Sequence, residues 1–290
     1  MTEFNKENTD DWNEKLRSAF ISAFSGNPQE NIQVYTEVGY YYMCCAPSSL
    51  YKYYSDRQEK LETVKHNKMW YSAPCNFNDV FDCDMSMDEE GIFQSILQMY
   101  PDKRGIREGS PIWRDLLKTC RQQIRTFQSS YDILKSRMGI SCLSESDDSL
   151  LMWAHYADGY SGLCIEYDFA KSKDKAFLEG IAKVEYTNKK PCVEQFENEE
   201  EYVSRTILTK SECWSYEREW RSRKIGEYSM WKSKSYPIIK VKDYITAIYL
   251  GCNMPYEYQN EIIKQYKNTG VKVFKMVLCE DIYDMYFEQC

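Results

Sequence analysis

Apolar positions along the chain switch between helical and strand periods without a steady alternation of the two. Trp12, Leu16, Ala19, Phe20, Ala23 and Phe24 recur at helical spacing behind a capping Asp10, and Gly26-Asn27-Pro28 closes that segment. Leu50-Tyr51-Lys52-Tyr53-Tyr54 predicts a short aromatic strand, and a helix is expected through Leu61 and Val64. Lys68 to Ser72 predicts a second strand, stopped by Pro74 and followed by the polar loop Asn76 to Asp82. A helical pattern fills residues 91–137, broken around Pro101 to Pro111. Met138 to Leu143 reads as a buried strand, and Asp147 or Asp148 is placed to cap a helix from Leu150 to Ala157, with Gly159 beyond it. Gly162 to Phe169 alternates: Leu163, Ile165, Tyr167 and Phe169 share one face, and Cys164, Glu166 and Asp168 the other. Further strands are expected at Ile181 to Thr187, Glu217 to Arg223, Ile245 to Leu250 and Val271 to Leu278. Helices are expected from the acidic run Glu197–Glu201 to near Cys213, and over Tyr256 to Tyr266.

This order lacks the βαβ rhythm of a doubly wound sheet and predicts an α+β fold, a mixed, mostly antiparallel sheet with flanking helices. Residues 1–30 are expected to form an N-terminal helical arm. Residues 31–290 are expected to form a single α+β domain with a helical insertion at about 91–137. Of the composition, the 25 tyrosines change the picture most, because an apolar ring with a polar tip suits half-buried sheets and cleft walls. A net charge of −8 argues against a broad nucleic-acid-binding surface, which needs basic residues to displace counterions. The twelve cysteines are scattered without a C-x-x-C, and His66 and His155 are the two histidines, so no metal is expected. The polar N-terminus lacks a signal-like apolar run, and no stretch is long enough to span a bilayer. Reduced thiols, a cytoplasmic location and no membrane partner are the expectation.

Candidate chemistry concentrates in Trp214-Ser215-Tyr216-Glu217-Arg218-Glu219-Trp220-Arg221. On a strand, Glu217, Glu219, Arg221 and Arg223 project to one face, and Arg218, Trp220 and Ser222 to the other. That face is either a solvated surface of cross-strand ion pairs or a cleft whose carboxylates are catalytic and whose arginines bind anions. Ser141-Cys142-Leu143-Ser144 delivers hydroxyls to a strand end, for turns or for a ligand, and His155 stands among aromatics that favour packing. Asp79, Asp82 and Asp84 could serve a divalent ion, although Asx turns are their commoner use. No E-x-K strand, phosphate-binding loop, dinucleotide fingerprint or nucleophile elbow is found.

Several segments, in order, resemble a bacterial family of unknown function numbered 2971, from about residue 50 to 280. They are Leu50 to Tyr53, Trp70 to Pro74, Phe77 to Asp82, Ser141 to Ser144, Leu151 to Ala157, Gly162 to Asp168 and Trp214 to Arg221. Val80 stands where proline is usual. The order of an early Y-x-Y strand, a W-x-S strand and a late E-x-E strand is also similar to ADP-ribosyltransferases, with Lys52 or Tyr53 where their first strand carries histidine or arginine. That resemblance implies an ADP-ribosyltransferase-like fold and an enzyme acting on NAD as substrate, in the role of a toxin or anti-phage defence effector, with Glu219 and Glu217 catalytic. The nucleotide would lie against Tyr51, Lys52, Tyr53, Tyr71, Ser72, Ser141, Ser144, His155 and Arg221, without a metal. The alternatives are a metal-dependent nuclease or phosphodiesterase using Asp79, Asp82 and Glu219, and a non-enzymatic module that binds a nucleotide or peptide.

Overall fold

The computed structural model describes residues 47–99, 106–168, 181–194, 199–225 and 239–290. The expected arm at residues 1–30 lies outside them. The elements begin with β1 (Leu50–Tyr54), α1 (Gln58–Lys65), β2 (Lys68–Met69), β3 (Ser86–Met87), α2 (Glu89–Gln98), α3 (Pro111–Arg137), β4 (Met138–Ser144), α4 (Leu150–Tyr156) and β5 (Leu163–Tyr167). They continue with β6 (Ile181–Lys183), β7 (Glu185–Thr187), β8 (Cys192–Val193), α5 (Glu199–Ile207), β9 (Thr209–Ser211), a 3-10 turn (Glu212–Glu217) and β10 (Glu219–Ile225). The last are β11 (Ile239–Lys240), β12 (Ile245–Leu250), α6 (Tyr256–Tyr266), β13 (Lys272–Leu278) and β14 (Met285–Gln289).

An eight-stranded sheet runs β14-β13-β12-β5-β1-β4-β10-β6, with β12–β13 parallel and its other pairs antiparallel. The fold is therefore α+β with a mixed, mostly antiparallel sheet. The two sides of β5 meet different layers, as its alternation predicts. Leu163, Ile165 and Tyr167 join Leu50, Tyr54, Trp220 and Ile248 under α1 and α6, which contribute Leu61, Val64, Ile262 and Tyr266. Cys164 faces the opposite side, with Tyr53, Tyr249, Met276 and the α4 residues Met152 and Trp153. Farther along that second side, Ile140, Ala182, Val203, Ile207 and Tyr131 form a separate cluster against α3 and α5. Gly162 lets β1 come close, since a Cβ there would lie 2.0 Å from the Tyr54 carbonyl oxygen.

The two apolar layers on that side are separated where the sheet divides. β1 pairs with β5 along its whole length but meets β4 only at Tyr51↔Ser144, whereas β4 pairs with β10 from Glu219↔Ser144 to Ile225↔Met138. The sheet is continuous, yet β1 and β4 part.

Four expectations are corrected. The helix expected to reach Cys213 ends at Ile207, because Thr209–Ser211 pairs in parallel with β7 and the 3-10 turn follows. Glu217 lies in that turn and not on the strand; Arg218, left-handed at φ 44°, reverses the chain before β10 starts at Glu219. Ser149, not Asp147 or Asp148, caps α4 by accepting the Met152 N–H, while Asp148 accepts the Ser146 hydroxyl at 2.5 Å. The strand expected over Lys68 to Ser72 is two residues long, and Ser72 makes a single bridge to Ile140. β14 was not anticipated, since MYFEQ is too short and mixed to stand out.

Candidate functional site

A cleft of about 310 Å³ opens where β1 and β4 part. β1 gives it Tyr51, Lys52, Tyr53 and Tyr54, and β4 gives Cys142, Leu143 and Ser144. It passes through the divide, so helices on opposite sides of the sheet line it: Lys60 comes from α1, and His155 and Tyr156 come from α4. Trp70, Ser72 and Phe77 complete the wall, and Asp82, Lys210, Glu217 and Glu219 form an acidic end.

The turn that displaces Glu217 from the strand also delivers it to the cleft. Ser144 donates its hydroxyl to the Glu217 carbonyl at 2.7 Å and accepts the Ser146 N–H at 3.1 Å. The Glu219 N–H donates to the Tyr186 hydroxyl at 2.8 Å. The two carboxylates then converge on one ammonium. Lys210 Nζ lies 3.0 Å from Glu219 Oε2 and in direct contact with Glu217 Oε2. Tyr156 donates to Glu217 Oε1 at 2.5 Å. Arg221 grips Glu219 with two bonds, Nε to Oε1 at 2.8 Å and Nη2 to Oε2 at 3.0 Å. Its Nη2 also reaches Asp82 Oδ2 at 2.7 Å, and its Nη1 reaches the Ile207 carbonyl at 2.6 Å.

Three buried carboxylates thus face two cations, and they are not equivalent. Burial pushes the Glu217 carboxyl up, and the neighbouring Glu219 charge adds to it, against the pull of Lys210. Burial also acts on Glu219, but the Arg221 and Lys210 charges outweigh it and hold that carboxyl well below the usual range. The burial that would discharge Lys210 is overcome by Glu219, Glu217 and Asp82, so the ammonium stays charged. Glu219 already accepts three donors and Glu217 two, which leaves Glu217 the larger spare capacity for a ligand hydrogen bond.

Of the residues singled out in the sequence, Glu217, Glu219, Tyr51, Lys52, Tyr53, Ser72, Ser144 and His155 line this one cleft. Tyr71, Ser141 and Arg221 do not. Tyr71 is fully buried, with its hydroxyl 2.9 Å from that of Ser222. Ser141 is buried opposite Ser222 in the β4–β10 ladder. Arg221 is 0 % exposed, so it anchors Glu219 and Asp82 from behind and has no access to a ligand. The Ser144 hydroxyl is committed to the turn. Asp79 makes the Asx turn, accepting the Phe81 N–H at 2.9 Å, and also accepts the Trp214 indole at 2.8 Å. Among the described residues, no group of three or more His, Cys, Asp or Glu is arranged to hold a metal ion. The ten described cysteines are free thiols, and no described helix is long and apolar enough to cross a membrane.

Sequence reasoning missed Lys210, Lys60 and Tyr156. Lys210 sits in a stretch read as helix, and its closeness to the carboxylates depends on the turn at Glu212–Glu217. Tyr156 belongs to the Leu151–Ala157 segment, but only the cap and length of α4 aim it at Glu217.

Residues 152–222 match the model of a family described as "Protein of unknown function (DUF2971)", the resemblance drawn from the ordered segments. The matched span carries Tyr156, Lys210, Glu217, Glu219 and Arg221. No curated protein and no solved structure matches the chain.

Proposed function

We propose that this chain is an ADP-ribosyltransferase-like enzyme that binds NAD in the divided sheet and breaks its nicotinamide–ribose bond. The observation that carries the reading is the pair Glu217 and Glu219, two carboxylates of opposite proton affinity at the acidic end of an aromatic-walled cleft. When the C–N bond breaks, nicotinamide leaves as a neutral base with the bonding electrons, and positive charge develops on the ribose ring. Glu219, fixed in its ionised form by Arg221 and Lys210, supplies a preorganised negative charge near that centre. Glu217 has spare acceptor capacity and the higher proton affinity. It takes a hydrogen bond from a ribose hydroxyl or from the attacking water or acceptor, and then that nucleophile's proton. Tyr156 and Lys210 hold its two oxygens in place. Trp70 and Phe77 provide aromatic surface for the planar rings.

The nuclease reading is less well supported, because Asp82 and Glu219 are both engaged by Arg221 and Asp79 is spent on a turn and an indole. Incubation with NAD in the presence of a chelator tests the choice. Nicotinamide release, lost in Glu217→Gln protein of unchanged circular dichroism, is the expected result. Absence of release, together with metal-dependent cleavage of nucleic acid, would overturn it.

A further inference from the structure

Two amines, Lys52 and Lys60, line the β1 and α1 wall of the cleft, and Glu219 acts on Lys52 only at long range. Lys52, on β1, is buried, and its ammonium reaches across the divide to the Cys142 carbonyl at 3.1 Å. Lys60, on α1, lies over the Trp70 ring with its Nζ 3.2 Å from the centroid. Among the described residues, neither makes an ion pair with a carboxylate, whereas Lys65 on the same helix pairs with Glu62 at 3.1 Å and Glu261 at 2.7 Å. The two amines are close enough to repel: after burial, the Lys52 charge is the largest influence pulling Lys60 down to about 7. Two amines whose charged forms are disfavoured by burial are therefore held together in a partly dry site, and a ligand anion would offset the cost of charging them.

We propose that Lys52 and Lys60 form a phosphate-binding subsite, which makes the substrate a phosphorylated nucleotide and not a free nucleoside or base. The subsite rests on the reading above only for the identity of the nucleotide; the anion contact stands on the two lysines. Trp70 holds Lys60 in place through its ring face, and the hydroxyls of Ser55 and Ser72 line the same cleft and offer further donors. The arrangement also orients the substrate. Lys60 enters from the α1 side of the sheet and Glu217 with Tyr156 from the α4 side, so the phosphates and the ribose to be cleaved are addressed from opposite sides of the divide.

Calorimetric titration with ADP-ribose, inorganic pyrophosphate and adenosine tests this. ADP-ribose and pyrophosphate should bind and compete with each other. Lys60→Met, which keeps the apolar stem on Trp70, should weaken both by at least about tenfold and leave adenosine unaffected. Lys60→Arg should recover most of the loss, and Lys65→Met should change nothing. Equal affinity for adenosine and ADP-ribose, failure of both anions to bind, or an indifferent Lys60→Met would each overturn the subsite. Anion binding without nicotinamide release from NAD leaves the subsite standing and removes the glycosidic chemistry. Nicotinamide release with an unchanged KM in Lys60→Met removes the subsite alone.

Discussion

The two charged regions of the cleft are built on opposite rules. Around Glu219, every charge has a partner: Arg221 holds Glu219 and Asp82, and Lys210 is shared by Glu217, Glu219 and Asp82. Around Lys52 and Lys60, two amines meet aromatic rings and a carbonyl, and among the described residues neither forms an ion pair, although Glu219 and Glu59 still act on them at longer range. The saturated region is rigid and belongs to the fold as much as to any chemistry, because each side chain fixes the next. The unsaturated region is where a ligand has most to add. Glu217 stands between the two, buried and ion-paired but with acceptor capacity left.

Arg221 gives the largest expected effect. Arg221→Met removes the bidentate partner of Glu219 and the 2.7 Å partner of Asp82 at a fully buried position, leaving three carboxylates, Glu217, Glu219 and Asp82, to share Lys210. A loss of about 3–5 kcal/mol of folding stability is expected, measured as a lowered urea midpoint at unchanged slope. A loss below about 1 kcal/mol would mean that the network is loose and solvated, and the contrast between the two regions would collapse.

Next comes Glu217→Gln. The amide keeps the size of the side chain and can still accept from Tyr156, but it cannot take a proton from a nucleophile. Nicotinamide release should fall by about two to three decades, with a smaller loss of stability than for Glu219→Gln because Lys210 keeps Glu219 and Asp82. Glu219→Gln should behave differently, lowering stability together with activity, because Arg221 and Lys210 lose their shared counter-ion. If Glu219→Gln were inactive yet as stable as the parent, and Glu217→Gln fully active, their roles would be exchanged.

What the sequence revealed of this site follows from which interactions are local. The two-sided alternation of β5, the buried β4 and the placing of Glu219 with Arg221 on one face of β10 were all legible, because each is set by a period of two within one segment. The convergence of Glu217 on Lys210 was not. It depends on a left-handed Arg218, on the Ser144 hydroxyl holding the Glu217 carbonyl, and on a short strand whose partner lies more than twenty residues upstream. Propensity carries no signal for a non-glycine residue at positive φ, so the carboxylates were read as one strand face. The parting of β1 and β4 was equally silent, since it is a property of pairing and of neither strand alone.

A smaller effect, in pH, sharpens the contrast from the lysine side. Lys60 is pushed from 10.5 down to about 7 by burial and by Lys52; Arg57 on its own helix end acts in the same direction and Glu59 against it. Between about pH 7 and 10 the unfolded chain therefore binds more protons at this residue than the folded one, and stability attributable to Lys60 rises with pH across that window. The buried tyrosines act oppositely at the alkaline end, since their raised values oppose unfolding less as pH climbs. The informative quantity is thus the difference between parent and Lys60→Met. At pH 6.5 the variant should melt about 2–4 °C higher, and the gap should shrink steadily as pH rises and close only near pH 10.5, the ordinary value of the unfolded lysine. A gap independent of pH would mean that Lys60 is already neutralised by the fold.

The smallest expected effect belongs to Asp79, and it separates a carboxylate near the cleft from one that serves it. Its Oδ1 accepts the Phe81 N–H and its Oδ2 the Trp214 indole, so both oxygens already have donors. Asp79→Asn preserves the Asx turn through its remaining carbonyl oxygen, while the new amide nitrogen can no longer accept from the other donor. One hydrogen bond to a charged acceptor is lost at a site near the surface, which should cost no more than about 1 kcal/mol. Nicotinamide release should be unchanged, because the residue reaches neither Glu217 nor the lysine subsite. A metal-dependent nuclease built on Asp79, Asp82 and Glu219 requires the opposite result, since replacing a charged ligand by a neutral amide would cripple it. Assaying Asp79→Asn on NAD with chelator, and on nucleic acid with magnesium or manganese, therefore sets one mild substitution against both chemistries. Retained activity on NAD supports the division between saturated structure and unsaturated site; a loss confined to the metal-dependent assay places the chemistry on the Asp79 loop instead.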